Sequence, residues 1–199
     1  MKPPYRLLTL IFFILWLALL FLTPPERTLG ALLRWIFAHG SLTQAAVYVF
    51  FVAALLAAGY LLGNAQLYRW MTTVAVIAFL LWALGFIISM VPARIAWGVF
   101  VDFNEPRTQM TLRMLAVGAV FLAAAWWVNQ PKFTAVAIII FAFALIFLVR
   151  STGLIRHPAN PVGESPSSIL PLIYSGILIS AVLASLSLAG WLVNRNRLA

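Results

Sequence analysis

The sequence predicts an all-α integral membrane protein: a bundle of six transmembrane helices, with a short amphipathic surface helix before the second span. Three observations carry this. Of the 199 residues, 64% are hydrophobic and only 9% are charged, against roughly a quarter charged in a soluble domain, so a water-facing surface cannot be coated. Mean hydropathy is +1.05, which also excludes disorder, a state of low hydrophobicity and high charge. The apolar residues gather in six runs near the ~20 residues a helix needs to cross the hydrocarbon core. No run alternates with the period of two that a β-barrel requires. The runs leave no room for a soluble domain, so residues 1–199 read as a single transmembrane domain.

The spans are Leu7–Leu22, Thr43–Gly63, Met71–Val91, Thr111–Val128, Phe133–Val149 and Ile169–Val193, each bounded by Pro, Gly, Asn or a charge. These residues break helices or sit at the interface. The first span follows the basic start Lys2 and Arg6. A long apolar run followed by Thr23-Pro24-Pro25-Glu26, with no small-residue cleavage site, reads as a retained signal anchor rather than a cleaved signal peptide. Six crossings put both termini on one side. The anchor-like start makes that side cytoplasmic and the protein a multi-pass component of the inner (cytoplasmic) cell membrane. Lys and Arg divide almost evenly between the two sides, so charge does not set the orientation by itself.

The net charge is +9, from 13 Lys+Arg and 4 Asp+Glu. The cations stand singly between apolar runs and form no stripe, which argues against nucleic acid and for lipid head groups or an anionic ligand. The spans carry no Asp, Glu or Lys in their middles, so no ion pathway is indicated. No nucleotide loop, metalloprotease motif or Ser/His/Asp pattern is present, and nothing marks an enzyme. Gly59 and Gly63 form a small-xxx-small pair, and Ala181, Ser185 and Ala189 a small-residue stripe; both predict close helix packing. Trp126, Trp127 and Trp191 read as interfacial anchors.

Three segments on the outer side hold the chemistry. In Thr23–Gln44, Leu29, Leu32, Leu33, Ile36 and Phe37 share one helical face and Arg27 and Arg34 the opposite one, the pattern of a surface helix ending at His39-Gly40. In Pro92–Gln109, Trp97, Phe100 and Phe103 recur every three residues. That spacing builds either an aromatic ledge or an ordinary interfacial belt. The third segment, Arg150–Ser168, is a polar, Pro/Gly-rich loop with Arg156-His157-Pro158.

His39 and His157 are the only histidines. Four spans separate them, so both lie on one face in either orientation. Two neutral imidazoles facing each other can ligate a haem iron axially. Arginine forks match its propionates, for which Arg34, Arg94, Arg107 and Arg156 are placed, and Trp97, Phe100 and Phe103 can carry its flat face. Cysteine is absent, so any haem is held non-covalently.

The order of these features resembles the haem-handling membrane proteins of cytochrome c maturation, the tryptophan-rich (WWD) family, and its six-span haem exporter protein C type. That family keeps a histidine at the outer start of the second span, where this chain has His39-Gly40-Ser41-Leu42. Between the third and fourth spans it keeps a Trp-Gly-x-Trp-Trp-x-Trp-Asp-x-Arg-Leu-Thr segment. Here Trp97-Gly98-Val99-Phe100-Val101-Asp102-Phe103-Asn104-Glu105-Pro106-Arg107-Thr108 stands in its place. Trp97, Gly98 and Arg107 match. Phe100 and Phe103 replace tryptophans, and one residue is inserted before Arg107. Asn104 replaces the aspartate unless Asp102 takes its role. Ile155-Arg156-His157-Pro158 corresponds to the family's Leu-His-x-Pro-like element. The likeness covers roughly residues 30–193 in topology and is divergent in the tryptophan-rich motif. It implies haem b bound at the outer face between His39 and His157, and delivery to a haem chaperone or another cytochrome c maturation protein. The alternative from the residues is a ligand-free structural or accessory subunit of a membrane complex.

Overall fold

A computed structural model of the chain describes residues 4–27, 29–153 and 167–195. It contains six helices: α1 (Tyr5–Leu22), α2 (Leu32–Leu61), α3 (Leu67–Trp97), α4 (Pro106–Val128), α5 (Pro131–Ser151) and α6 (Ile169–Arg195). No strand occurs among the described residues, only an isolated bridge between Glu26 and Gly30. All six helices are long and apolar enough to cross a membrane.

The two largest boundary differences from the sequence reading lie in α2 and α3. The expected surface helix is not separate. Residues 32–39 form the first turns of α2, which runs unbroken for 30 residues, about 45 Å. Gly40 does not stop it. In hydrocarbon a backbone must satisfy its own polar groups, so helices persist through weak formers. Gly40 instead lets α6 approach: a Cβ there would stand 3.2 Å from the Tyr174 hydroxyl. The amphipathic pattern survives inside α2, with Leu33 and Phe37 buried and Arg34 and Trp35 exposed.

Likewise α3 does not end at Val91 but passes through Pro92 to Trp97. Proline there forfeits one intrahelical hydrogen bond, and its ring is buried. The helix stops at Gly98, whose φ of 76° is left-handed and whose N–H donates to the Arg94 carbonyl at 3.1 Å. Glycine takes that conformation without the Cβ penalty. Pro106 then opens α4, where its missing N–H costs nothing. The same logic makes the tight turn from α4 to α5, with Asn129 in the left-handed region and Pro131 starting α5.

α2 is the centre of the bundle and packs on α3, α5, α6 and α1. α1 lies against α6 and α2, while α4 lies against α5 and α3, so the two flanking helices share no neighbour. Ala45, Ala46, Val49, Ala53 and Ala57 of α2 are fully buried, and these small side chains let neighbouring backbones come close. One core cluster joins all of them but Ala45 to Met71, Val74, Trp82, Phe141 and Leu145. A second, between α1, α2 and α6, holds Ala45 with Trp16, Leu20, Phe37, Leu42 and Ile177. Trp16 Nε1 donates to Ser41 Oγ at 3.1 Å across that cluster. Ala181, Ser185 and Ala189 are buried, as a packing stripe should be. Gly63 is not part of a seam: it has φ 107° and forms the turn after α2.

Candidate functional site

The turns at Gly63 and Asn129 lie at one end of the bundle. The opposite end brings together the start of α2, the end of α3 and the start of α4, and hence His39, Arg34, Arg94, Trp97, Phe100, Phe103 and Arg107. His157 and Arg156 lie outside the described residues.

His39 sits in the third turn of α2 and is half-buried. It does not project from a helix end as its Gly40 neighbour suggested, but belongs to a continuous helix wall. Its carbonyl accepts from Thr43 Oγ1 at 3.0 Å and lies 3.4 Å from where a Cβ on Gly85 would be. That contact fixes the height of His39 against α3. At 1.5 Å per residue, Trp97 stands about 18 Å further along α3 than Gly85. The aromatic segment is therefore well above the imidazole.

The aromatic residues divide. Trp97 is half-buried as the last residue of α3, while Phe100 and Phe103 are 60% and 66% exposed. The Arg94 guanidinium lies over the Phe100 ring, 5.4 Å from its centroid, and donates to the Gly98 carbonyl. Arg94 thus braces the cap of α3. Arg34 also has a structural partner: its Nε donates to the Thr23 carbonyl at 3.1 Å, tying the α1–α2 connection to α2. Arg107 differs. Its Nε is buried and meets no acceptor among the described residues. Of the described arginines proposed for an anion, Arg107 is the one with a buried Nε that meets no acceptor. It is borne by α4, which does not touch α2, so α3 and α5 intervene between it and His39.

Sequence reasoning names Asp102 only as an alternative to Asn104, and it does not foresee that two acids are buried. Asp102 is 6% and Glu105 1% exposed. Asp102 Oδ1 accepts from the Asn104 backbone N–H at 3.0 Å, and the Glu105 N–H donates to the Asp102 carbonyl at 3.3 Å. The Glu105 carbonyl then accepts from Gln109 at 3.1 Å in the first turn of α4, placing the acid where the helix dipole favours negative charge. The available signal was Asp-x-Asn-Glu-Pro, a turn-former followed by a helix start. Nothing in the pattern announced that the loop would bury both carboxylates.

Among the described residues, no three His, Cys, Asp or Glu side chains converge as a metal cluster does. One axial imidazole suffices for haem, so His39 is of the donor type that group takes, while Arg107 stands apart from it on α4. The architecture is that of a multi-pass membrane protein. No known family's model matches the chain, and no curated protein matches it.

Proposed function

We propose that the protein binds haem b non-covalently at the His39 end, taken as the outer face of the cytoplasmic membrane, and handles it for cytochrome c maturation. Both termini then face the cytoplasm, and a haem chaperone or another maturation protein is the partner. The observation that carries this reading is the half-buried imidazole of His39, at the bundle end that also holds Arg107, whose buried Nε meets no acceptor among the described residues. The resemblance to the WWD family supports it.

In this reading the haem supplies iron coordination and redox chemistry, and the protein is a carrier rather than an enzyme. His39 offers an axial imidazole on a helix whose height is pinned by Gly85, with His157 as the second. Arg107, with Arg156, offers guanidinium donors to propionates.

A second reading, a ligand-free structural or accessory subunit, is favoured by a specific observation: Arg34 and Arg94 both serve backbone carbonyls of their own connections. The test is the Soret band of the full chain purified from haem-replete membranes. The proposal expects a band that weakens or becomes five-coordinate in His39→Ala and in His157→Ala and vanishes in the double variant. Full haem content in the double variant, or no band in the unaltered protein, overturns it and leaves the subunit reading.

A further inference from the structure

A polar chain crosses the exposed face of α2 at mid-membrane depth. The Tyr174 hydroxyl donates to Gln44 Oε1 at 2.9 Å, and Gln44 Nε2 donates to the Tyr48 hydroxyl at 3.2 Å. Gln44 is exposed and Tyr48 is 47% exposed. Gln44 is about 18 Å from the start of α2 and about 25 Å from its end. It therefore lies well inside a ~30 Å hydrocarbon slab. Phe51 and Leu55 continue the same exposed stripe at 41% and 58%, following Gln44 and Tyr48 at the alternating four- and three-residue spacing of one helical face.

An amide has two donors and two acceptor sites. Among the described residues Gln44 uses one of each, which leaves one N–H and one lone pair. The O–H of Tyr48 also has no acceptor among the described residues. Acyl chains offer no hydrogen bonds, and leaving such groups in hydrocarbon is costly. The remaining set is neutral and matches itself, one amide donor for one amide acceptor at a single height. A two-fold axis along the membrane normal brings like groups to like heights. No charged side chain on the stripe calls for an oppositely charged partner helix.

We infer that the chain pairs with a second copy of itself through this stripe, with the two Gln44 amides exchanging hydrogen bonds reciprocally and Tyr48, Phe51 and Leu55 packing around them. The inference is independent of haem.

The absence of cysteine permits a clean test in native-like bilayers. Leu55→Cys should give an oxidative disulfide dimer, whereas Phe143→Cys, on the exposed face of α5, should not. Gln44→Leu should weaken dimerisation, read by energy transfer between labelled copies on dilution into lipid, by about tenfold. Tyr174→Phe removes only the bond inside the protomer and should leave dimerisation intact, which separates pairing from a folding defect. Equal cross-linking at both cysteines, cross-linking to a different protein, a monomer at all lipid ratios, or equal loss in Gln44→Leu and Tyr174→Phe would each overturn the inference.

Discussion

Gly85 gives the sharpest handle on the bundle, because its lack of a side chain sets the contact of α3 with the His39 turn of α2. A Cβ there would fall 2.6 Å from Thr43 Cγ2 and 3.2 Å from the Thr43 backbone nitrogen, both inside ordinary contact. The Thr43 side chain cannot simply rotate away, because its hydroxyl donates to the His39 and Gly40 carbonyls at 3.0 and 3.1 Å. Gly85→Ala therefore forces the two backbones apart. Overpacking of this kind costs about 1–3 kcal/mol, set against the few tenths to ~1 kcal/mol by which alanine improves on glycine inside a helix. A net loss near 1–2 kcal/mol is expected in reversible unfolding by denaturing detergent. Thr43→Ser deletes the clashing methyl and keeps both hydroxyl bonds, so the double variant should recover part of the loss. A double-mutant cycle should show coupling of at least ~0.5 kcal/mol. If Gly85→Ala is neutral or stabilising, or the serine rescues nothing, the close approach of α2 and α3 at this height is wrong.

Four further outcomes are expected. Trp16→Phe removes the donor to Ser41 Oγ and part of a buried ring, and should cost more than the ~0.6 kcal/mol of the hydrogen bond alone, measured in the same unfolding assay. Gly98→Ala places a Cβ on a residue at φ 76° and should cost roughly 1–2 kcal/mol; a wild-type midpoint would contradict the left-handed cap. Single cysteines at Asn64 and Asn129 should label from the same side of sealed vesicles, and one at Asn104 only from the other; any other partition refutes the six-crossing topology. Arg107→Met should lower haem retention more than Arg94→Met, because Arg94 already serves Gly98 and Phe100. Equal loss in both would deny Arg107 a special role.

Much of the helical frame was legible in the sequence, since apolar runs of membrane length admit few alternatives. The stops were less legible. Gly40 and Pro92 are breakers by propensities measured in water, yet both lie inside helices here. Lipid leaves an interrupted backbone nothing to bond with, so the helix continues wherever packing tolerates the residue. The amphipathic pattern around Leu33 and Phe37 was read correctly, but its rotation into the bundle was not, because periodicity identifies a face without naming its partner. At the candidate site the sequence indicated the residue types, while their uses depended on the fold. Arg34 and Arg94 look identical to Arg107 as letters. Only the connections around Thr23 and Gly98 reveal which guanidinium groups are already engaged, and the burial of Asp102 and Glu105 depends on a loop path that no local pattern encodes.

The seating of α1 bears on the order in which the bundle assembles during synthesis. α1 touches α2 only lightly and rests mainly on α6, where Gly190 receives the Tyr5 ring and Gly176 the Leu19 side chain. The first of these six helices to be made therefore has its main seat on the sixth. Until α6 arrives, α1 must stand in lipid or be held by the insertion machinery. Closure of the bundle is a long-range event, slow in the way that contacts between distant chain segments are slow. A chain halted before α6 leaves α1 without its main seat.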